Sequence, residues 1–211
     1  MEIHTFELGS FAVSAYVVVV GEEAMIVDAP EGADEIIGFC DRRSLVPRIL
    51  VNTHGHADHI YANAAMKKHW KAIAIAVGAG DAEMLRSPMK NLSALLVSWV
   101  KSPAADRLLA DGDTIEVGPA KFQVLATPGH TPGGISLYCP EAAEGRGAVF
   151  TGDALFAGGI GRTDFSGGDY DLLLESIRKK LLTLPPETVV YPGHGPVSTV
   201  GEEARSNPFL T

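Results

Sequence analysis

The apolar positions of the first half of the chain come in short runs, closed by glycine or by acidic turns. Residues 3–8, 11–20 and 24–28 read as strands, separated at Gly9 and at Gly21-Glu22-Glu23. Asp28 closes the third strand before Ala29-Pro30 takes the chain out of the sheet. The spacing then becomes helical, with Ile36, Ile37 and Cys40 on one face of a segment predicted over 33–43. Pro47 precedes a strand at 48–52, and Ala62, Ala65, Met66 and His69 give residues 60–70 a second helical pattern. His69, at its end, is expected to serve the helix dipole and not to bind a ligand. Residues 72–77 read as a strand and 78–85 as a short helix.

Residues 87–103 carry Leu92, Leu95, Leu96, Trp99 and Val100 between two proline-bearing breaks. They read as a core helix or packed connector, with a hydrophobic lid or oligomer contact near a substrate mouth as the alternative. The second half repeats the style of the first. Strands are predicted at 114–117, 121–127, 135–139, 148–151 and 188–191, with a polar loop at 140–147. A helix is predicted over 170–184 from the stripe Leu173, Ile177, Lys180 and Leu181. Strands followed by helices in both halves, with no long linker, predict an α/β fold: two packed sheets covered by helices, one domain over 1–211.

Composition narrows the function. With 211 residues, 46% hydrophobic and 20% charged, the chain has the make-up of an ordinary globular domain. A net charge of −9 and no run of Lys or Arg remove the electrostatic footprint of a nucleic-acid binder. The longest apolar stretch, near residues 16–20, is far too short to cross a bilayer. Met1-Glu2-Ile3-His4 lacks the basic and apolar regions of a secretory signal. Cys40 and Cys139 are isolated thiols in no metal-binding spacing, as expected of core residues in a reducing cytoplasm.

The chemistry concentrates in Thr53-His54-Gly55-His56-Ala57-Asp58-His59, directly after the apolar run Ile49-Leu50-Val51. In extended chain the side-chain period is two, so His54 and His56 point the same way. Asp58 and His59 fall where the next helix begins, with Asp58 a candidate N-cap. A solvated polar loop is the alternative reading, but three histidines within six positions, of seven in the chain, favour a metal site. Three more stretches share one design: a strand, then glycine or proline, then a ligand-type side chain. They are Ala126-Thr127-Pro128-Gly129-His130, Phe150-Thr151-Gly152-Asp153 and Val190-Tyr191-Pro192-Gly193-His194. Together they supply His54, His56, Asp58, His59, His130, Asp153 and His194, more than one tetrahedral zinc can use. Such a set suits two divalent ions about 3.5 to 4 Å apart sharing a carboxylate.

In this order the ligand-type residues resemble the metallo-β-lactamase superfamily over essentially the whole chain. The resemblance implies an αβ/βα sandwich with the site at one edge of the paired sheets. It further implies a first metal on His54, His56 and His130, a second on Asp58, His59 and His194, and Asp153 bridging. Gly152-Asp153-Ala154-Leu155-Phe156, Gly161-Arg162-Thr163-Asp164-Phe165, Tyr191-Pro192-Gly193-His194-Gly195-Pro196 and Asn207-Pro208-Phe209-Leu210 are similar to short glyoxalase II-like hydrolases. That likeness implies hydrolysis of a small-molecule thioester of the hydroxyacylglutathione type. The expected catalytic set is Asp58 with His54, His56 and His59, and Arg162 and Phe165 meet the substrate. Zinc is the expected metal, with iron or manganese as alternatives. A true β-lactamase ranks lower, because the best-known class has cysteine in place of Asp153. The chain ends soon after His194, so the helical glutathione-binding domain of full-length glyoxalase II is not expected. The runner-up is a persulfide dioxygenase with one iron on His54, His130 and Asp153; another ester or lactone hydrolase ranks below it. A homo-oligomer is left open; a nucleic-acid or membrane partner is not expected.

Overall fold

The computed structural model describes residues 1–96 and 99–211, apart from the side chain of Leu96. Six strands form a first sheet in sequence order: β1 (Glu2–Leu8), β2 (Val13–Val20), β3 (Glu23–Val27), β4 (Val46–Asn52), β5 (Ala74–Gly78) and β6 (Arg107–Leu109). The first three run antiparallel; β3 to β6 run parallel. Parallel neighbours need crossover connections. Helix α1 (Asp34–Arg42) joins β3 to β4, and α2 (Ala57–Ile60) with α3 (Asn63–His69) joins β4 to β5.

The second sheet comprises β7 (Thr114–Val117), β8 (Ala120–Ala126), β9 (Ile135–Cys139), β10 (Ala148–Gly152), β13 (Val189–Pro192) and β14 (Ser198–Thr199). Its order is β14-β13-β10-β9-β8-β7. Between β10 and its parallel partner β13 lie the hairpin β11 (Leu155–Phe156) and β12 (Gly159–Ile160), and helix α4 (Tyr170–Ser176). Helix α5 (Val200–Ser206) follows β14.

Side chains alternate across each strand. Tyr16, Val18, Met25, Val27, Ile49 and Val51 meet Phe122, Val124, Leu137 and Phe150 of the facing sheet. On the other face, Val17, Val19, Ile26 and Leu50 are covered by Ile36 and Cys40 of α1 and Met66 of α3. Leu125, Val149 and Val190 are covered by Leu173, Ile177 and Leu181. Burial on both faces explains why β2 and β4 read as continuous apolar runs. The result is the expected αβ/βα sandwich. Strands β4, β8, β10 and β13 end at one edge of it, at Asn52, Ala126, Gly152 and Pro192, shortly before His54, His130, Asp153 and His194.

Several expectations are corrected. Strand β2 begins at Val13 because residues 9–12 form a turn: Ala12 has φ 50° and its N–H donates to Gly9 O at 3.1 Å. That turn leaves Phe11 exposed. Asp58 is not an N-cap. His56 holds that position, and Asp58 sits inside the first turn of α2 with its carboxylate beside His59 and His194. The helix expected over 78–85 is two 3-10 turns, Ala79–Asp81 and Met84–Arg86. The one expected over 170–184 gives way after α4 to a π-turn, Ile177–Leu181. Residues 87–96, with 99 and 100, lie around Asn91, whose amide donates to the Met84 and Val100 carbonyls at 3.1 and 3.0 Å; the rest of the apolar segment expected here, residues 97 and 98 and the Leu96 side chain, lies outside the described residues. Among the described residues the segment is a packed connector, yet Leu95 and Trp99 are 68% and 63% exposed.

Among the described residues no helix is long and apolar enough to cross a membrane. Cys40 and Cys139 are free and buried. Burial pushes the Cys40 thiol up to about 12 and raises Cys139 as well. The folded protein is therefore expected to resist thiol reagents at pH 8, with both cysteines reacting after denaturation. Rapid labelling of either thiol in the native state would contradict this packing.

Candidate metal centre

The centre is assembled at the strand ends from five imidazoles and two carboxylates. Three overlapping groups have ligand atoms within 4.8 Å of one another: His54, His56 and His130; His54, His59 and Asp153; and Asp58, His59 and His194. His130 Nε2 lies 2.9 Å from His56 Nδ1, and His59 Nε2 lies 3.3 Å from His194 Nε2. Asp153 stands between the two halves. Its Oδ2 is 3.6 Å from both His130 Nε2 and His194 Nε2, and its Oδ1 is 3.4 Å from His59 Nε2. Asp58 Oδ2 closes the outer side, 3.8 Å from His59 Nε2 and 3.7 Å from His194 Nε2. The structure thus brings all seven sequence-selected residues together. His69 lies elsewhere, facing Asp41 at 3.0 Å.

The far nitrogens of these rings fix which way the lone pairs point. His59 Nδ1 faces the Asp28 carboxylate at 2.9 Å, His130 Nδ1 the Arg162 carbonyl at 2.7 Å, and His194 Nδ1 the Phe11 carbonyl at 3.0 Å. Oxygens of this kind only accept, so Nδ1 carries the hydrogen and Nε2 is bare in the neutral ring. His54 Nδ1 faces Thr53 Oγ1 at 3.1 Å, and that hydroxyl already donates to Asp28 Oδ2 at 2.8 Å. It therefore accepts from His54 and leaves His54 Nε2 bare too. His54 Nε2 and Asp153 Oδ1 are buried without a hydrogen-bond partner. Lone pairs and carboxylate oxygens converging at these distances repel unless protons or a metal cation lie among them. The donor set fits divalent transition metals, and an acceptor behind the ring, present for His54, His59, His130 and His194, is how proteins orient metal-binding imidazoles.

Residues outside the seven hold this arrangement. Asp28, at the end of β3, accepts Thr53 N–H and Thr53 Oγ1–H, both at 2.8 Å, as well as His59. Buried Asp81 accepts Gly55 N–H at 2.9 Å, Thr131 Oγ1–H at 2.7 Å and Gly133 N–H at 2.7 Å, joining the His54–His59 loop to the His130 loop. A carboxylate closing a buried strand was the sequence signal for Asp28; Asp81 left none. Two glycines make room. Gly152 has φ 48°, and a Cβ there would strike Thr53; a Cβ on Gly193 would strike Asp153 Oδ1 and come 2.9 Å from His59 Cε1.

The electrostatics divide the centre. Burial, reinforced by neighbouring imidazoles, holds His54 well below the ordinary histidine range and brings His56 to about 3, so both stay neutral. Burial also opposes a charge on His59, but Asp153, Asp28 and Asp58 raise it to about 10. His194 is raised in the same way, its burial outweighed by Asp58 and Asp153. One half is a neutral imidazole set; the other is rich in carboxylate and attracts positive charge.

A cavity of about 530 Å³ opens over the centre, with His56, Asp58, His130, Asp153 and His194 on its floor. Phe11, Leu92, Leu95, Phe156, Ile160 and Phe165 make most of its wall apolar. Arg162 lines it too, with its guanidinium 3.8 Å from the Phe165 ring centroid and hydrogen-bonded to Asp164 at 2.8 and 2.7 Å. Both sequence-selected substrate residues therefore face the cavity, but Arg162 arrives already paired.

A two-sheet sandwich with a His/Asp cluster at its edge defines a metal-binding αβ/βα protein. The sequence pattern of the metallo-beta-lactamase superfamily matches residues 8–194, and the chain belongs to that superfamily. The probable metallo-hydrolase YqgX of Bacillus subtilis is 35% identical over 211 residues, which cover 100% of this chain and 98% of that protein. The hydroxyacylglutathione hydrolase GloC of Haemophilus influenzae is 36% identical over 190 residues, 90% of this chain and 88% of GloC. Among solved structures, the BLEG-1 B3 metallo-beta-lactamase superposes with a TM-score of 0.93 at 38% identity, with both chains covered at 100%. TTHA1623 in a di-iron-bound form gives 0.86 at 36% identity, covering 98% of this chain and 100% of that one. ETHE1 from Myxococcus xanthus gives 0.81 at 32% identity, covering 99% of this chain and 84% of that one.

Proposed function

We propose that the chain is a metal-dependent hydrolase of thioesters, acting on substrates of the hydroxyacylglutathione type. The observation that carries this reading is the convergence of bare imidazole nitrogens around Asp153 on the floor of an apolar cavity. The likeness to GloC supports the substrate class. His54, His56 and His130 would hold one divalent ion, Asp58, His59 and His194 a second, and Asp153 both. Zinc is the first candidate, and the di-iron form of a similar protein supports iron as an alternative. When bound, such a pair lowers the pKa of a shared water toward neutrality and polarises a carbonyl oxygen.

The chain supplies the rest. Asp28, Thr53 and the Phe11 and Arg162 carbonyls keep the ligand rings in one tautomer and orientation. The cavity wall packs against the substrate and screens the scissile bond from bulk water. A thiolate, whose acid has a pKa of about 8.5, leaves near neutral pH without a dedicated proton donor, so no separate general acid is required.

Arg162 is the Lys or Arg that lines the cavity among the described residues. Its pair with Asp164 is exposed and worth little in water, so a substrate carboxylate can compete for it. Arg162→Ala is expected to raise KM for a glutathione thioester roughly tenfold, with little change for a neutral thioester. Equal effects on both substrates would return Arg162 to a structural partner of Asp164.

A persulfide dioxygenase is the second reading, favoured by the likeness to ETHE1 and by the closeness of its three candidate residues in pairs: His54 falls within 4.8 Å of His130 in one ligand group and of Asp153 in another, and His130 and Asp153 are 3.6 Å apart. Thiol release from lactoylglutathione without oxygen, together with metal analysis giving about two ions per chain, is the expected result. Oxygen uptake with glutathione persulfide, one iron per chain and no thioester cleavage would select the dioxygenase. Cleavage of a β-lactam but of no thioester would instead extend the likeness to BLEG-1 to its chemistry.

A further inference from the structure

Phe11 separates two cavities. On the side away from the large one lies a second, of about 300 Å³, and the two share Phe11, Ala57 and Asp58 as walls. Leu8, Val13, Pro30 and Val100 make the smaller cavity apolar, and its charged lining groups are Glu31 and Asp58. We propose that the smaller cavity is an acyl pocket: it takes the acyl half of a thioester whose thiol half lies in the larger cavity, and it favours neutral, apolar acyl groups longer than lactoyl. This rests on the thioester reading above and names the substrate class within it.

Three observations point the same way. A thioester has two arms that diverge from its carbonyl. The two cavities meet at Ala57 and Asp58, beside the ligand cluster, so arms on either side of Phe11 set the carbonyl against the centre. Volume is the second. At about 30 Å³ per water, the smaller cavity of about 300 Å³ corresponds to roughly ten waters, much more than a three-carbon acyl group fills. Charge is the third. Arg162 lines the larger cavity, so a carboxylate-bearing thiol such as glutathione finds its partner there. No Lys or Arg among the described residues lines the smaller one, where a second carboxylate would face Glu31 and Asp58.

The test is an acyl series on one thiol. Acetyl, butanoyl, hexanoyl and succinyl glutathione are compared in the wild type, Ser10→Trp and Glu31→Gln. Ser10 is exposed, lines the smaller cavity alone and is no part of the ligand set, so Trp fills the space without disturbing the core. Each buried methylene favours binding roughly fourfold. From acetyl to hexanoyl, kcat/KM is expected to rise at least about tenfold in the wild type. Ser10→Trp should remove that rise and leave the acetyl rate within about twofold, since the shortest chain does not reach the filled space. Succinyl should fall about tenfold or more below butanoyl, and Glu31→Gln should recover part of the loss. A flat series, or a rise that survives Ser10→Trp, overturns the assignment. Calorimetric binding of hexanamide, which has no thioester bond, separates this outcome from failure of the thioester reading. If no thioester is cleaved but hexanamide binds and Ser10→Trp abolishes the binding, the function is wrong and the pocket stands. Hexanamide binding that Ser10→Trp leaves unchanged removes the pocket.

Discussion

Replacing Asp153 by alanine is expected to take the protein from about two metal ions per chain to one or fewer, and to lower turnover at least about a hundredfold. Asp153 is the group that reaches both halves of the centre, within 3.6 Å of His130 and His194 through one oxygen and 3.4 Å of His59 through the other. Without it, two cations would face each other with no anion between them. Coulomb repulsion at such separations is severe where water is scarce. The substitution opens no large gap in the apolar core, because Asp153 lies at the cavity floor, so the fold should persist. Elemental analysis with a thiol-release assay on the same preparation decides the matter. Two ions and full turnover in the variant would show that Asp153 does not bridge.

The second large effect is expected at a residue that touches no substrate. Asp28 has φ 62°, a conformation that asparagine tolerates and most residues do not, so Asp28→Asn keeps the backbone and removes the charge. The amide has one accepting oxygen, whereas the carboxylate serves Thr53 N–H, Thr53 Oγ1–H and His59 Nδ1–H. Its NH₂ must then face one of these donors. If it faces His59, the ring shifts its hydrogen to Nε2 and loses the lone pair directed at the centre. Metal affinity is expected to fall about ten- to a hundredfold. Loss of one charge-assisted hydrogen bond of about 2 kcal/mol should also lower Tm by about 4–8 °C. Asp28→Ala should cost more, since alanine adds a left-handed backbone penalty. Unchanged metal affinity in Asp28→Asn would mean that His59 is oriented by something else.

The sequence made the fold and the ligand set legible for physical reasons. Strands buried on both faces are written as unbroken apolar runs; the histidine-rich loop follows one of them directly, and the candidate ligands His130, Asp153 and His194 each follow another at a glycine or proline. What stayed hidden falls into two kinds. Strands β6, β11, β12 and β14 are three residues or fewer, too short for alternation to register. Helix α5 could have been read from its capping box, Thr199 to Glu202, where Thr199 Oγ1 accepts Glu202 N–H at 3.2 Å. The other kind is pairing at a distance: Asp28 with His59 and Asp81 with Gly133 are met only after folding. Asp58 shows how local reasoning can fail, because a carboxylate at a helix start is an N-cap by propensity. Here His59 and His194 claim it, and against its burial they hold it below the ordinary carboxylate range.

The turn at residues 9–12 reaches into the metal centre through its backbone alone. His194 is oriented by the main-chain oxygen of Phe11, and the same segment is stitched on by Ser14 N–H to Gly193 O at 2.8 Å and Tyr16 Oη–H to Pro192 O at 2.6 Å. A carbonyl exists whatever the side chain, so no substitution at position 11 other than one that bends the backbone deletes this contact. Inserting or removing a single residue between Gly9 and Val13 is expected to displace that carbonyl, while every candidate ligand remains in place in an alignment. Loop length in a surface hairpin is thus part of the definition of the site, and counting retained histidines and aspartates does not by itself distinguish a working centre from a broken one.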